Sequence, residues 1–405
     1  MSRLRIKHFF PYRKLKFEGH VIKEETQVVQ FISRANRRFL PICSGCGGCV
    51  RRVHSLALRN IRDLDLGCYQ VYLCTHIRKL HCGMCGYRVE DLEFVDLRQS
   101  ITKRLAQYIV YLCSLMTISD VARHLDLDWR LVKRVDKLYL GEAYSHVHWD
   151  DLHILAVDEV AIRKGHHYAT LVINYETGEV VWMGKGRSQE TLESFFKELP
   201  EDMRAGISAV ALDMWQPYIS AIERYCPQAK LVFDLYHVVS SFNKVIDKVR
   251  SQEYKKASDE EKDVIKGSKY LLLKNSENLK DTQKPKLKRL LEMNQKIFEV
   301  YLLKDEMKRI WQTDDREEAS QIFDAWCQAA YETELVPVIH FAETLKRHRE
   351  GILNHCEFPI HTSKLEGIIN KIKVLKRKAY GYHDTEYFFI KTKSIFAGKT
   401  PEWIN

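Results

Sequence analysis

The chain has 405 residues, 45% hydrophobic and 29% charged, with a net charge of +10. Its length exceeds what one core usually holds, so two or more domains are expected; no apolar run is long enough to span a bilayer, and Met1-Ser2-Arg3-Leu4-Arg5-Ile6-Lys7 lacks the features of a secretory signal. A cytoplasmic location is therefore expected, the positive balance favours a polyanionic partner, and eleven cysteines in a reducing compartment point to metal ligation or buried thiols rather than disulfides.

Residues 1–40 mix basic and apolar positions without a clear period and read as an N-terminal arm or short strands. Residues 41–98 are rich in Cys and Gly and repeat one motif, Cys43-Ser44-Gly45-Cys46-Gly47 and Cys82-Gly83-Met84-Cys85-Gly86. In such a knuckle the glycine lets backbone amides turn toward the thiolates of a tetrahedral site. Cys43, Cys46, Cys82 and Cys85 are therefore expected to hold a structural Zn2+ in a zinc ribbon. Cys49, Cys74, His54, His76 and His81 lie close enough in sequence to offer a mixed ligand set, whereas Cys113, Cys226, Cys327 and Cys356 read as ordinary thiols.

Residues 99–145 switch to helical periodicity, broken near Met116-Thr117 and at Asp126-Leu127-Asp128, which predicts three short helices. The stretch from Thr117 to Val135 reads as a helix-turn-helix. Ala122 is small where two helices must cross, and Trp129, Arg130, Lys133 and Arg134 would project from the second helix into the major groove of double-stranded DNA. A helical hairpin that only joins two domains is the competing reading.

Residues 150–240 alternate strands and helices. Strands are expected at 154–162, 168–175, 180–184, 207–213 and 230–233, with a helix capped by Ser188 and another starting at Pro217. This order, an antiparallel meander followed by β-α-β units, resembles the ribonuclease H-like fold. Residues 241–357 are Lys/Glu/Leu-rich at helical spacing, an all-α insertion, and residues 358–405 return to the core. The fold class expected is thus multidomain: an N-terminal zinc ribbon and helix-turn-helix, then an α/β ribonuclease H-like catalytic core interrupted by an all-α insertion domain.

Asp158 and Asp213 interrupt or end apolar strands, and Glu366 heads a basic helix. Carboxylates placed beside buried strands cost stability unless something pairs with them, so three of them point to shared divalent cations, Mg2+ or Mn2+, as in a two-metal DNA-cutting site. Strand alternation sends Asp158 and Glu159 to opposite faces, so only one should line the site, and Asp158 is preferred. Asp213 ahead of Pro217 and Asp234 ahead of Leu235 have the competing reading of simple helix caps. At helical spacing Glu366, Asn370, Lys373 and Arg377 share a stripe roughly 60° wide, and Leu365, Ile368, Ile372, Leu375 and Ala379 face largely the other way. Beside Lys371, Lys376 and Lys378, that stripe suits a nucleic-acid backbone.

Val157-Asp158-Glu159, Leu212-Asp213-Met214, Phe233-Asp234-Leu235-Tyr236-His237 and Leu365-Glu366-Gly367-Ile368-Ile369-Asn370-Lys371-Ile372-Lys373, with Lys376-Arg377-Lys378-Ala379-Tyr380-Gly381-Tyr382, resemble the ISL3 family of bacterial insertion-sequence transposases. The likeness covers nearly the whole chain, including the order of ribbon, helix-turn-helix, core and late glutamate. It implies a DDE triad on Asp158, Asp213 and Glu366, with Asp234 and His237 in a supporting role. The expected activity is binding of terminal inverted repeats, metal-dependent strand cleavage and strand transfer into target DNA. Synapsis of two ends calls for at least a dimer, nucleoid-associated when bound to DNA. A structure-specific nuclease on the same fold, or a non-catalytic DNA-binding regulator, are the alternatives.

Overall fold

A computed structural model describes residues 9–97, 99–144, 151–163, 165, 167–274, 278–360 and 362–397. The chain forms two units, Met1–Ser145 with Lys399–Asn405, and His146–Gly398.

The first unit is built on strands β1 (Leu15–Lys23), β2 (Val28–Ala35), β3 (Ile42–Cys43), β4 (Val53–Leu66), β5 (Tyr69–Cys82) and β6 (Gly86–Asp91). β1 and β2 form an antiparallel hairpin, and β2 then runs parallel to β5, Val28 to Ser33 lying opposite Gln70 to Thr75. Pairing thus crosses residue 40, and the segment read as an arm or short strands supplies two strands of the larger sheet. Period-two burial explains the fit: Val29 and Phe31 of β2, and Val71 and Leu73 of β5, meet Phe10, Ile61 and Phe94 in one core.

Three helices follow, α1 (Lys103–Leu115), α2 (Ile118–Leu125) and α3 (Trp129–Tyr144). Thr102 and Thr117 cap the first two through the amides of Leu105 and Asp120, at 3.3 and 3.2 Å. α1 is fastened to the sheet by fully buried Asp63, which accepts hydrogen bonds from Thr102 Oγ1 at 2.6 Å and Arg104 Nε at 2.7 Å. A buried carboxylate costs several kcal/mol unless it is paired in this way.

The second unit begins with β7 (Ile154–Arg163), β8 (His167–Asn174) and β9 (Val180–Lys185), an antiparallel meander. Helices α4 (Gln189–Glu198) and α5 (Glu201–Ala205) lead to β10 (Ala209–Leu212), and α6 (Gln216–Tyr225) leads to β11 (Lys230–Phe233). The Ser188 hydroxyl caps α4 through the Thr191 amide at 3.3 Å, as its sequence position predicts. Sheet order is β11-β10-β7-β8-β9, with β10 parallel to both β7 and β11.

Helices α7 (Leu235–Lys256), α8 (Asp259–Ile265), α9 (Lys269–Leu273), α10 (Lys284–Met293), α11 (Gln295–Lys308), α12 (Arg316–Glu332), α13 (Val336–Arg347) and α14 (Arg349–Leu353) come next, before α15 (Thr362–Lys378) and α16 (Thr385–Phe396). Alternation divides the sheet between two layers. Leu155, Val157, Val210, Leu212 and Phe233 pack with α4, α6 and the helices of residues 235–353, whereas Ala156, Val160 and Ala211 pack with Leu365, Ile368, Ile369 and Ile372 of α15 and Phe388 of α16. Each large apolar side chain so buried contributes about 1.5–3 kcal/mol. Among the described residues, no helix is long and apolar enough to cross a membrane.

Where α14 crosses β11 the approach is close, for a Cβ on Gly351 would stand 2.3 Å from the buried Phe233 ring. Gly351→Ala should therefore cost about 1–3 kcal/mol despite alanine's better helix propensity. Urea denaturation checks this, and an unchanged or raised midpoint would refute the close contact.

Candidate active site

Three parallel strands share one register. Ala156 lies opposite Ala211, and Leu212 opposite Phe233, so extending the count puts Asp158, Asp213 and Asp234 level with one another. Parity then fixes their face. Ala156 and Ala211 look toward α15, and Asp158 and Asp213, two residues on, look the same way. β10 ends at Leu212, and its pairing with β7 ends at Ala156, so beyond these points the strands part. There a cavity of ≈ 290 Å³ opens, lined by Asp158, Asp213, Asp234, His237, Glu366, Asn370 and Lys373, with Val157, Ala211, Leu365 and Ile369 among its apolar walls.

Each aspartate is oriented by a backbone amide. Asp158 Oδ1 accepts from Glu159 N at 2.6 Å, Asp213 Oδ1 from Trp215 N at 3.1 Å and Asp234 Oδ1 from Tyr236 N at 2.8 Å. Asp234 is thereby the N-cap of α7, as the cap reading had it, yet its other oxygen stands 3.8 Å from His237 Nε2. Asp213 does not cap α6, whose N-cap is Trp215.

Burial pushes all three aspartate carboxyls above their ordinary range, while the amides and the charge of His237 pull them back. The charge of Asp213 pushes the Asp158 carboxyl up, and that of Glu366 pushes Asp234 up. The carboxylates thus interact as two pairs that border one cavity, Asp158 with Asp213 and Asp234 with Glu366.

Glu366 is delivered by α15, whose buried stripe is Leu365, Ile368, Ile369 and Ile372. Asn370 and Lys373 line the cavity, and Arg377 is exposed farther along, outside it. The neighbouring lysines have structural tasks. Lys364 Nζ donates to the carbonyls of Tyr175 and Glu176, Lys371 to Ile395 O at 2.9 Å and Lys376 to Ala161 O at 2.6 Å.

Glu159 departs from expectation. It pairs with Arg187 at 3.2 Å but also borders the cavity, because β7 has lost its β10 neighbour by that point and the opening reaches residues on both sides. Arg187 and Tyr236 were not foreseen. Arg187 lies over the rings of Tyr168 and Trp215, at 4.4 and 5.3 Å, and its charge lowers the Asp213 carboxyl. Its position before the Ser188 cap was the only trace it left in the sequence.

In the first unit, Cys43, Cys46, Cys82 and Cys85 bring four sulfurs within 4.8 Å of one another, and among the described residues no other His, Cys, Asp or Glu group is gathered so tightly. Gly47 and Gly86 adopt φ of 70° and 68°, the left-handed turns anticipated after each knuckle. The amides of Cys46 and Gly45 draw the Cys43 thiol down to about 7, while hydrogen bonding from Cys46 and burial push Cys85 up to about 12. Crowded sulfurs that share protons in this way are compatible with Zn2+.

On the helix-turn-helix, Trp129, Arg130 and Arg134 are exposed and Lys133 is half-buried. Asp126 makes the turn at φ 51°, Leu127 N donates to Ala122 O at 2.9 Å, and Ala122 is buried as its small size requires.

Residues 155–392 match a transposase family of the ISL3 type, and residues 90–140 match the helix-turn-helix domain of transposase family ISL3. The chain is 40% identical over 361 residues to the transposase for insertion sequence element IS1001 of Bordetella parapertussis, covering 88% of this chain and 89% of that protein. It is 23% identical over 384 residues to the transposase for insertion sequence element IS1557 of Mycobacterium tuberculosis, covering 88% and 86%. The chain belongs to the ISL3 family of insertion-sequence transposases, with a helix-turn-helix DNA-binding domain.

Proposed function

We propose that this transposase cleaves the ends of its element and transfers them to target DNA at a site formed by Asp158, Asp213 and Glu366, which hold two divalent cations, Mg2+ or Mn2+. The observation that supports this most is the meeting of three acids, remote in sequence, in one cavity with raised aspartate pKa values. Carboxylate oxygens suit hard cations, and three of them facing one cavity could share such ions. When bound, such ions make a water or a 3′-hydroxyl nucleophilic and stabilise the leaving oxygen.

The chain's own groups have separate tasks on this reading. Asn370 and Lys373 hold the phosphate backbone beside the acids, and Arg377 continues that contact along α15. His237, 3.8 Å from Asp234, positions the scissile strand together with it. Val157, Ala211, Leu365 and Ile369 keep bulk water from the floor of the cavity. The β11-β10-β7-β8-β9 order supports a ribonuclease H-like core in residues 150–240 and 358–405, with residues 241–357 inserted between. In residues 41–98 and 99–145, a Zn2+ ribbon on Cys43, Cys46, Cys82 and Cys85 and the helix carrying Trp129, Arg130, Lys133 and Arg134 would bind the terminal inverted repeats. Two ends brought together require at least a dimer.

Asp158→Ala should reduce Mg2+-dependent cleavage by on the order of 10³-fold while gel-shift affinity for the repeats stays the same; preserved cutting would sink the catalytic assignment. A second test uses stability. Because folding raises the Asp213 carboxyl above its ordinary value, the folded chain holds that proton more tightly than the unfolded chain, and stability falls as pH rises through the raised range. At neutral pH without divalent ions, Asp213→Asn should therefore melt higher, by about 2–4 °C for each kcal/mol relieved. The same variant should lose the upward shift that Mg2+ gives the native chain. A lower melting point with an undiminished Mg2+ response is the opposite result. For the ribbon, Cys43→Ser with Cys82→Ser should abolish one Zn2+ per chain in a colorimetric assay and weaken repeat binding, whereas undiminished binding counts against a DNA-binding role for the ribbon.

A further inference from the structure

Past Arg377, the segment Lys378 to Tyr382 has no task in the site just described, yet it contains an unusual helix end. α15 closes in a Schellman pattern: Gly381 N donates to Lys376 O at 2.9 Å and Tyr380 N donates to Arg377 O at 3.0 Å. That pattern puts the left-handed residue at position 380, where glycine is the ordinary occupant because a side chain there is strained. Tyr380 occupies it with φ 53°. Of the five described non-glycine residues with positive φ, the other four are Gln27, Asp126, Asp151 and Glu334, so Tyr380 is the only aromatic among them. The strain is not offset by burial, for Tyr380 is 98% exposed, the highest value among the described large hydrophobic side chains.

The turn beneath the ring is nonetheless well held. Arg163 donates to His383 O at 2.9 Å, Lys376 donates to Ala161 O, and Tyr382 packs on Phe388 with ring centroids 5.0 Å apart. A bare aromatic ring on a fixed turn at the end of a basic helix, next to exposed Arg377, fits a negatively charged partner that also presents apolar patches, as the sugars and base edges of a duplex do.

We propose that Tyr380 is a DNA-contacting residue that packs its ring against the duplex at a fixed distance from the cleavage point. The proposal rests on the reading that Glu366 lies at the scissile phosphate. From Glu366 to Lys378 is 12 residues (378 − 366) of α15, about 18 Å at ~1.5 Å per residue, or roughly 20 Å to the turn. A duplex following the exposed face of α15 rises ~3.4 Å per base pair, so the ring meets DNA about six base pairs from the cut.

The test uses the full chain and duplexes spanning one element end, each with a single 5-iodouracil at successive positions, irradiated to cross-link aromatic contacts. The expected result is an adduct at Tyr380, strongest about six base pairs from the cut. Tyr380→Gly should abolish it and weaken end binding about fivefold or more. Since glycine suits the left-handed turn, the same variant should melt no lower than the native chain, and Tyr380→Phe should bind normally. The proposal is overturned if Tyr380→Gly leaves adduct and affinity unchanged, if it loses affinity only together with melting temperature, or if Tyr380 cross-links to a second copy of the chain instead of DNA. Asp158→Ala separates the two readings. It should keep the Tyr380 adduct while losing cleavage, so cleavage by that variant defeats the catalytic assignment alone.

Discussion

The register of β7, β10 and β11 is the constraint on which the site depends. Pairing Ala156 with Ala211 and Leu212 with Phe233 brings residues 158, 213 and 234 level, and parity sends Asp158 and Asp213 to the α15 side. A slip of one residue in either pair would turn an aspartate into the layer of Leu155, Leu212 and Phe233, where no carboxylate could be accommodated. The apolar residues hold that register. Ala156 and Ala211 must face α15 closely, while Leu155, Leu212 and Phe233 fill the opposite core, so the hydrophobic pattern that folds the sheet also places the acids.

α15 brings the remaining acid by the same logic applied to a helix. Leu365, Ile368, Ile369 and Ile372 fix its rotation against the sheet, and Lys364 and Lys376 fix its ends through carbonyls of the sheet and its loops. With rotation and ends determined, Glu366, Asn370 and Lys373 have only the cavity side left to occupy. The burial of four aliphatic side chains, each contributing about 1.5–3 kcal/mol, works against the repulsion among acids gathered at one place.

Much of this was legible from spacing. The knuckle glycines, the Ser188 cap, the break at Asp126 and the strand at 230–233 are local features, decided by residues within one turn or one hairpin of each other. What escaped was decided at a distance. The parallel pairing of β2 with β5 has no local signature, and Glu159 reaches the cavity only because β10 stops short of it. The lysines of α15 look alike in sequence, and only their carbonyl partners separate anchors such as Lys376 from Lys373 at the cavity. Tyr380 was hidden by its neighbour, since glycine is the usual mark of a left-handed helix end and Gly381 stands one residue later.

On the function proposed above, electrostatics would divide the work between holding DNA and cutting it. Asp158, Asp213, Asp234 and Glu366 crowd one cavity, so a phosphate entering it would meet several carboxylates, three of them aspartates that burial pushes toward their neutral forms. Phosphates lying along Lys373 and Arg377 meet the opposite field. On the function proposed above, DNA would therefore rest on the basic helix without divalent cations, whereas the scissile phosphate would stay out of the cavity until the carboxylate charge is offset. On that proposal cation supply would govern cleavage far more than it governs binding, since the acids and the basic helix act on phosphates with opposite sign.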